Sequence, residues 1–223
     1  MEQTILATSC KMFSRLGIQQ LRMEDLAGHL GISKKTLYRF FPSRMELIER
    51  VEAEMSTELR QQLLAVRDET GDTLEQITGY VSTLTSTFKK WSPQFFSDLQ
   101  KHFPEQWNRF HINIGQLVLE LLRTNLEKGI AEGVYRGNIH PALLVTLWQQ
   151  HFYNDYRYCQ QLVTDYSKDE VFRQGYYLFL YGIVDRSSVP RLETLLNRIT
   201  EESENNKTTL QIDPGADLNQ VFI

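Results

Sequence analysis

The chain has 223 residues, 41% of them hydrophobic and 23% charged, with a formal net charge of −4. That composition is globular, and the length exceeds one small unit by enough for a further domain with its own core. Two cysteines, Cys10 and Cys159, are too few and too far apart for a disulfide scaffold or a zinc knuckle. Lys11 and Arg15 interrupt the N-terminal apolar pattern and no apolar run is long enough to span a bilayer, so the expectation is a soluble, cytoplasmic protein without signal peptide or membrane partner.

The first predicted helix carries Ile5, Leu6, Ser9, Met12, Phe13 and Leu16 at helical spacing and stops at Gly17. The next stretch, from Leu26 to Phe41, reads as two short helices around a tight turn. Leu26, Ala27 and Leu30 form an apolar run, and Gly31 can take the left-handed conformation that ends a helix without a steric penalty. Small Ala27 lets the two helices approach closely where they cross. Ser33 is placed to cap the second helix, whose packed side comes from Ile32, Leu37 and either Phe40 or Phe41. Lys34, Lys35, Thr36, Tyr38 and Arg39 are left on its outer face. Basic and hydroxyl side chains on the second helix of such a pair are the layout of a helix-turn-helix that reads DNA. The alternative is an ordinary helical hairpin with a solvated face.

A fourth helix starts at Pro42-Ser43-Arg44. Ser43 with Glu46 has the spacing of a capping box, and Arg44 lies in the first turn, where a cation is useful if a phosphate sits at that helix end.

The run from Ile5 to about Met55 resembles the DNA-binding domain of the tetracycline-repressor (TetR) family. The resemblance rests on Phe13 and Gly17, Asp25-Leu26-Ala27, Gly31-Ile32-Ser33, Thr36-Leu37-Tyr38, and Phe41-Pro42-Ser43-Arg44 followed by Leu47. It implies that Lys34, Lys35 and Thr36 face the major groove, that the Tyr38 hydroxyl meets a phosphate, and that Arg44 replaces the family's usual lysine on the backbone. Phe40 falls where relatives place another DNA-facing side chain. Two positions depart from the pattern: Arg22 stands where the family usually has a capping threonine, and Lys35 where glycine or proline is frequent. Arg22 cannot accept an N–H bond, so its cap must come from elsewhere; its charge either meets a phosphate or is solvated.

Charge follows the same division. Residues 1–50 carry eight Lys/Arg and five Asp/Glu, and the other 173 carry sixteen and twenty-three. The basic end therefore has to supply attraction to a duplex that the acidic body would repel.

Beyond Met55 the period remains helical, so the expected class is all-α: an N-terminal helix-turn-helix unit (residues 1–50, the motif at about 22–41), a larger helical effector-binding and dimerisation body (51–204), and a flexible polar tail (205–223), whose Val221-Phe222-Ile223 end is apolar enough to dock. The fourth helix should run from Ser43 to near Arg67, linking unit and body. Thr73 with Gln76 opens a fifth, ending near Trp91, and Ser92-Pro93 a sixth. Pro104 resets the chain before a stripe of Phe110, Ile114, Leu117, Val118, Leu121, Leu122 and Leu126. Pro141 begins a helix to about Thr164, Ser167 with Glu170 caps another, and Val189-Pro190 starts a last one ending near Glu204.

The family resemblance implies that two long helices, about 141–164 and 169–185, pair with those of a second copy. Trp148, Phe152, Tyr156 and Cys159, with Tyr177, Leu178, Tyr181 and Val184, offer apolar faces for that, although a monomer core has the same pattern. Phe88, Trp91, Phe95, Phe96, Phe103, Trp107, Phe110 and His111 concentrate aromatic surface mid-body, and His151, Tyr153 and Asp155 add polar groups. Such residues line either a small-molecule site or an ordinary core. His151 and Asp155 are four apart, which suits a polar pair better than a metal site. Cys159 is either a redox sensor or an inert thiol. No nucleophile elbow, phosphate-binding Gly loop or metal-binding helix motif is present, so neither enzyme activity nor a cofactor or metal is expected. The expected function is a ligand-responsive regulator, a repressor or else an activator, that binds double-stranded operator DNA as a homodimer and answers to an unidentified small-molecule inducer or co-repressor. The fourth helix is its expected lever. An interaction adaptor that has lost operator binding is the alternative.

Overall fold

The structure is a computed structural model and describes residues 1–148 and 168–209. Helices make up nearly all of its regular structure: α1 (Glu2–Leu16), α2 (Met23–His29), α3 (Lys34–Phe40), α4 (Arg44–Glu69), α5 (Thr73–Lys90), α6 (Pro93–His102), α7 (Pro104–Phe110), α8 (Gln116–Ala131), α9 (from residue 141, followed as far as 148), α10 (Lys168–Ile183) and α11 (Val189–Thr209). The single β-type pairing among the described residues is an isolated bridge between Tyr135 and Val184, which ties the loop after α8 to the end of α10. The chain is all-α, with a three-helix N-terminal unit and a larger helical body.

Local chemistry explains most helix ends. Gly17 has φ 85° and its N–H donates to Phe13 O at 2.9 Å, closing α1. That early stop leaves Leu16, expected on the apolar stripe, 44% exposed. Of the reciprocal bonds expected at the start of α4, the structure shows the one in which Ser43 Oγ accepts from the Glu46 N–H at 3.0 Å. The start of α5 differs from expectation. Its cap is Asp72, whose Oδ1 accepts from the N–H groups of Leu74 and Glu75, while Gln76 reaches back to the carbonyls of Arg67 and Thr70. A carboxylate outcompetes a threonine hydroxyl here because it accepts two orphan N–H groups at once and meets the positive end of the helix.

The stripe from Phe110 onward is interrupted by a π turn at His111–Gly115 before α8 resumes. The last helix continues to Thr209, beyond the expected end at Glu204. Asn205–Thr209 is polar but contains no glycine or proline, which first occur at Pro214 and Gly215, so nothing in it breaks the helix. Residues 210–223, where the remainder of the expected tail falls, lie outside the described residues.

One contiguous apolar core runs from Ile5 to Leu196. Helix α4 holds it together: Leu47, Ile48 and Val51 are buried against the N-terminal helices, and Met55, Leu59 and Leu63 continue the same face into the body. At 26 residues, α4 spans about 39 Å. It packs on α1, α5 and α7, and α5 in turn packs on α8, α10 and α11. A buried polar knot fixes the far end of the body. The Tyr135 hydroxyl lies 2.7 Å from Asn125 Oδ1 and 2.9 Å from Thr73 O, and Asn125 Nδ2 also donates to Thr73 O. Burial pushes the Tyr135 phenol far above its ordinary pKa, so it stays a donor.

Candidate nucleic-acid interface

The turn between α2 and α3 is built by backbone geometry. Gly31 has φ 64° and its N–H reaches Gly28 O, while Ile32 N–H reaches Ala27 O at 3.0 Å. Ser33 then caps α3, accepting from the Thr36 N–H at 3.0 Å, and its hydroxyl also pairs with that of Thr36. Leu26, Ala27, Leu37 and Phe41 bury the facing sides. Of the two phenylalanines open to the packing role, Phe41 takes it at 1% exposure, and Phe40 remains half-buried on the outside. The turn thereby points one face of α3 away from the core.

That face carries the expected side chains. Lys34, Lys35 and Arg39 are exposed, and Thr36, Tyr38 and Phe40 are half-buried. Four of them meet in pairs: the Lys34 ammonium sits 5.8 Å from the Tyr38 ring centroid and the Arg39 guanidinium 5.2 Å from that of Phe40. Lys34 also pairs with Glu24 in the first turn of α2, which holds the Glu24 carboxyl below its usual pKa. Nothing in the spacing of positions 24 and 34 announces that pair, because it depends on how α2 crosses α3.

Arg22 is exposed at the N-cap of α2. As its chemistry requires, its side chain accepts nothing; the Arg22 carbonyl accepts from the Leu26 N–H, and Asp25 Oδ2 accepts from the Arg22 backbone N–H at 3.0 Å. Asp25, three residues into the helix, was a readable signal for this half of a capping box. Arg44 is turned inward. Its Nη2 donates to the carbonyls of Ile18 and Leu21, the latter at 3.2 Å, so it braces the loop between α1 and α2, and its buried Nε has no partner among the described residues.

In the body, the structure brings most of the aromatic candidates into one cluster. Ring centroids are 4.5 Å apart for Trp91 and Phe95, 5.1 Å for Phe88 and Phe96, and 5.9 Å for Phe96 and Phe110. These five are buried, whereas Trp107 and His111 are half-buried and meet edge to face at 4.2 Å. Desolvation lowers the His111 pKa, which keeps the ring neutral near pH 7. His151 and Asp155 lie outside the described residues, as do Phe152, Tyr156 and Cys159. Of the pairing candidates that are described, Trp148 sits 6.4 Å from Phe179, and Tyr177 lies 6.1 Å from Tyr181. Leu178 is 76% exposed, and Leu143 and Leu147, four apart on α9 and unnoticed in the sequence, are more than half exposed. Among the described residues no group of three or more His, Cys, Asp or Glu side chains is placed to hold a metal ion, and no helix is long and apolar enough to cross a membrane.

Residues 5–51 match the family model for bacterial regulatory proteins of the tetR family. Over those residues the N-terminal unit is similar to the DNA-binding domain of that family. The match and the geometry of α2 and α3 support a DNA-binding role for this unit. The chain is 27% identical over 153 residues to the uncharacterized HTH-type transcriptional regulator YvaF of Bacillus subtilis (strain 168), covering 66% of this chain and 77% of that protein. Its fold is similar to that of a TetR-family regulator from Agrobacterium tumefaciens, with a TM-score of 0.67 at 16% identity, over 82% of this chain and 97% of that one. A regulator from Saccharomonospora viridis in complex with choline is similar at a TM-score of 0.68 and 17% identity, over 83% of this chain and 98% of that one.

Proposed function

We propose that this protein is a ligand-responsive repressor that binds a palindromic operator as a homodimer, with residues 1–50 reading DNA and the helical body from residue 51 pairing subunits and receiving the ligand. The observation that carries the reading is the outer face of α3, where Lys34, Lys35, Thr36, Tyr38 and Arg39 stand on a helix whose start and packed side are both specified. Lys34, Lys35 and Thr36 lie at the N-terminal end that enters a major groove, and Tyr38, Arg39, Phe40 and Arg22 flank it. Arg44 acts through the loop that it braces, and any phosphate contact it makes uses the guanidinium nitrogens left over. One such helix covers a few base pairs, so two related by a two-fold axis read half-sites about 34–36 Å apart.

Selection from random duplexes at physiological salt tests this reading. Enrichment of an inverted repeat is the expected result; no enriched sequence would remove it and favour an adaptor. Tyr38→Phe should weaken binding to all sequences alike by about 1–2 kcal/mol, the worth of one phosphate hydrogen bond. Lys34→Ala and Thr36→Ala should instead change the selected bases. Uniform losses from all three would show that these side chains position the protein and do not read.

The exposed apolar side chains of α9 and α10 support pairing, with Trp148, Tyr177, Leu178 and Tyr181 as contributors. Leu178→Asp should shift the protein toward monomer in sedimentation velocity without changing its helical content, since a solvated carboxylate cannot enter a desolvated interface unpaired. The aromatic cluster around Phe88, Trp91, Phe95, Trp107, Phe110 and His111 supports an apolar ligand site, with the half-buried pair Trp107 and His111 at its accessible side. A ligand there shifts DNA binding only by its difference in affinity between the two conformations, and α4, continuous through both units, is the lever.

A further inference from the structure

A lever attached along one axis leaves the DNA-reading unit free to twist about that axis, yet α4 is not its sole attachment. The first half of α6 docks on the end of α1. Ser92 N–H donates to Ser14 O at 2.6 Å, supplying a partner for a carbonyl that the end of α1 leaves open. Nearly two turns further on, Asp98 is 2% exposed, and its Oδ2 accepts from the Gln19 N–H at 2.8 Å across 79 positions of sequence. Its other oxygen accepts from Gln94 Nε2 at 2.5 Å, which fixes the rotamer. The contact is too close for any side chain at position 17: a Cβ on Gly17 would lie 2.6 Å from Gln94 Cγ and 2.9 Å from Asp98 Oδ2.

The same short helix carries Phe95 and Phe96, both buried in the aromatic cluster. Hydrogen bonds are directional where apolar contacts are not. Two polar bonds away from the α4 axis therefore define an orientation, and not merely proximity.

We propose that α6 is a second, polar attachment of the DNA-reading unit to the body, with Asp98 as the positioning residue that sets the angle of α3. This rests on the operator-binding reading above.

The test uses the full-length protein and two probes: the duplex selected by the wild type, and that duplex with one half-site scrambled. Asp98→Ala should lose about tenfold in affinity for the intact duplex, the scale of one hydrogen bond to a carboxylate, and less than about twofold for the scrambled one. Asp98→Asn, which keeps an acceptor for Gln19 N–H, should retain most of the wild-type affinity. Equal losses on both duplexes would overturn the proposal, because the carboxyl would then merely support the fold; so would no loss on either. Ser92→Pro compared with Ser92→Ala removes the other bond by a separate route, since Ser92 already has φ −63° and both changes lose its hydroxyl cap. A DNA-free readout keeps this proposal separable from the operator reading. Pulsed spin-label distances between Lys35→Cys on α3 and Glu120→Cys on α8, in chains lacking the native cysteines and diluted into unlabelled protein, should be narrow in the parent and broad in Asp98→Ala. Unchanged widths would overturn the positioning role even if no operator were found.

Discussion

Phe41→Ala is expected to destabilise the protein by about 3–5 kcal/mol, the usual range for deleting a buried phenylalanine, and to abolish DNA binding with it. Phe41 is 1% exposed at the end of α3, where its N–H also closes that helix on Leu37 O. Its ring is buried in the core that also holds Leu26 and Leu37, and a unit that small cannot collapse around the void. With total stabilities of about 5–15 kcal/mol for ordinary domains, such a loss empties much of the folded population of the DNA-reading unit. Phe40→Ala provides the comparison. Phe40 is half-buried, packed at the edge of the core with Arg39 over its ring, so its loss should cost less than that of Phe41, about 1–2 kcal/mol. Urea unfolding of the two variants checks the contrast; similar midpoints would show that the assignment of the inward ring is wrong.

Gly17→Ala carries the second large effect, about 2–4 kcal/mol, from two sources that act together. Its backbone lies at φ 85°, ψ 173°, a region that residues with a Cβ enter only at a cost. The added methyl group would also meet Gln94 and Asp98 well inside van der Waals contact. Gly133→Ala separates the two sources, since Gly133 has φ 72° with open space around it and should suffer only backbone strain of about 1–2 kcal/mol. A larger loss of urea stability at position 17 than at position 133 is the expected result. Equal losses would mean that α6 yields to the methyl group and that the contact is soft.

These two residues mark how far the chain could be read before folding. Gly17, Gly31 and Ser33 were legible because each acts within four residues of itself: the glycines supply positive φ and the serine caps the next turn. The helix-turn-helix, the identity of its outer face and the all-α class follow from such short-range rules. Asp72 displaced Thr73 as a cap within the reach of those rules, and Asp25 beside Arg22 was readable in the same way. What Gly17 excludes was not readable, because the atoms it would strike belong to α6, nearly eighty positions away.

By itself, then, the order of residues determined the helices of the DNA-reading unit and their caps, which side of α3 is polar, and how charge divides between the basic first fifty residues and the acidic remainder. Only the tertiary structure decided that Phe41 and not Phe40 turns inward, that Arg44 spends its Nη2 on the carbonyls of Ile18 and Leu21, that Glu24 holds Lys34, and that Asp98 clasps the α1–α2 loop. The physical reason is the same in each case. Caps, periodicity and turns are short-range terms written in neighbouring residues, whereas these partners meet through helix crossings whose angle and depth are set by the packing of the whole core.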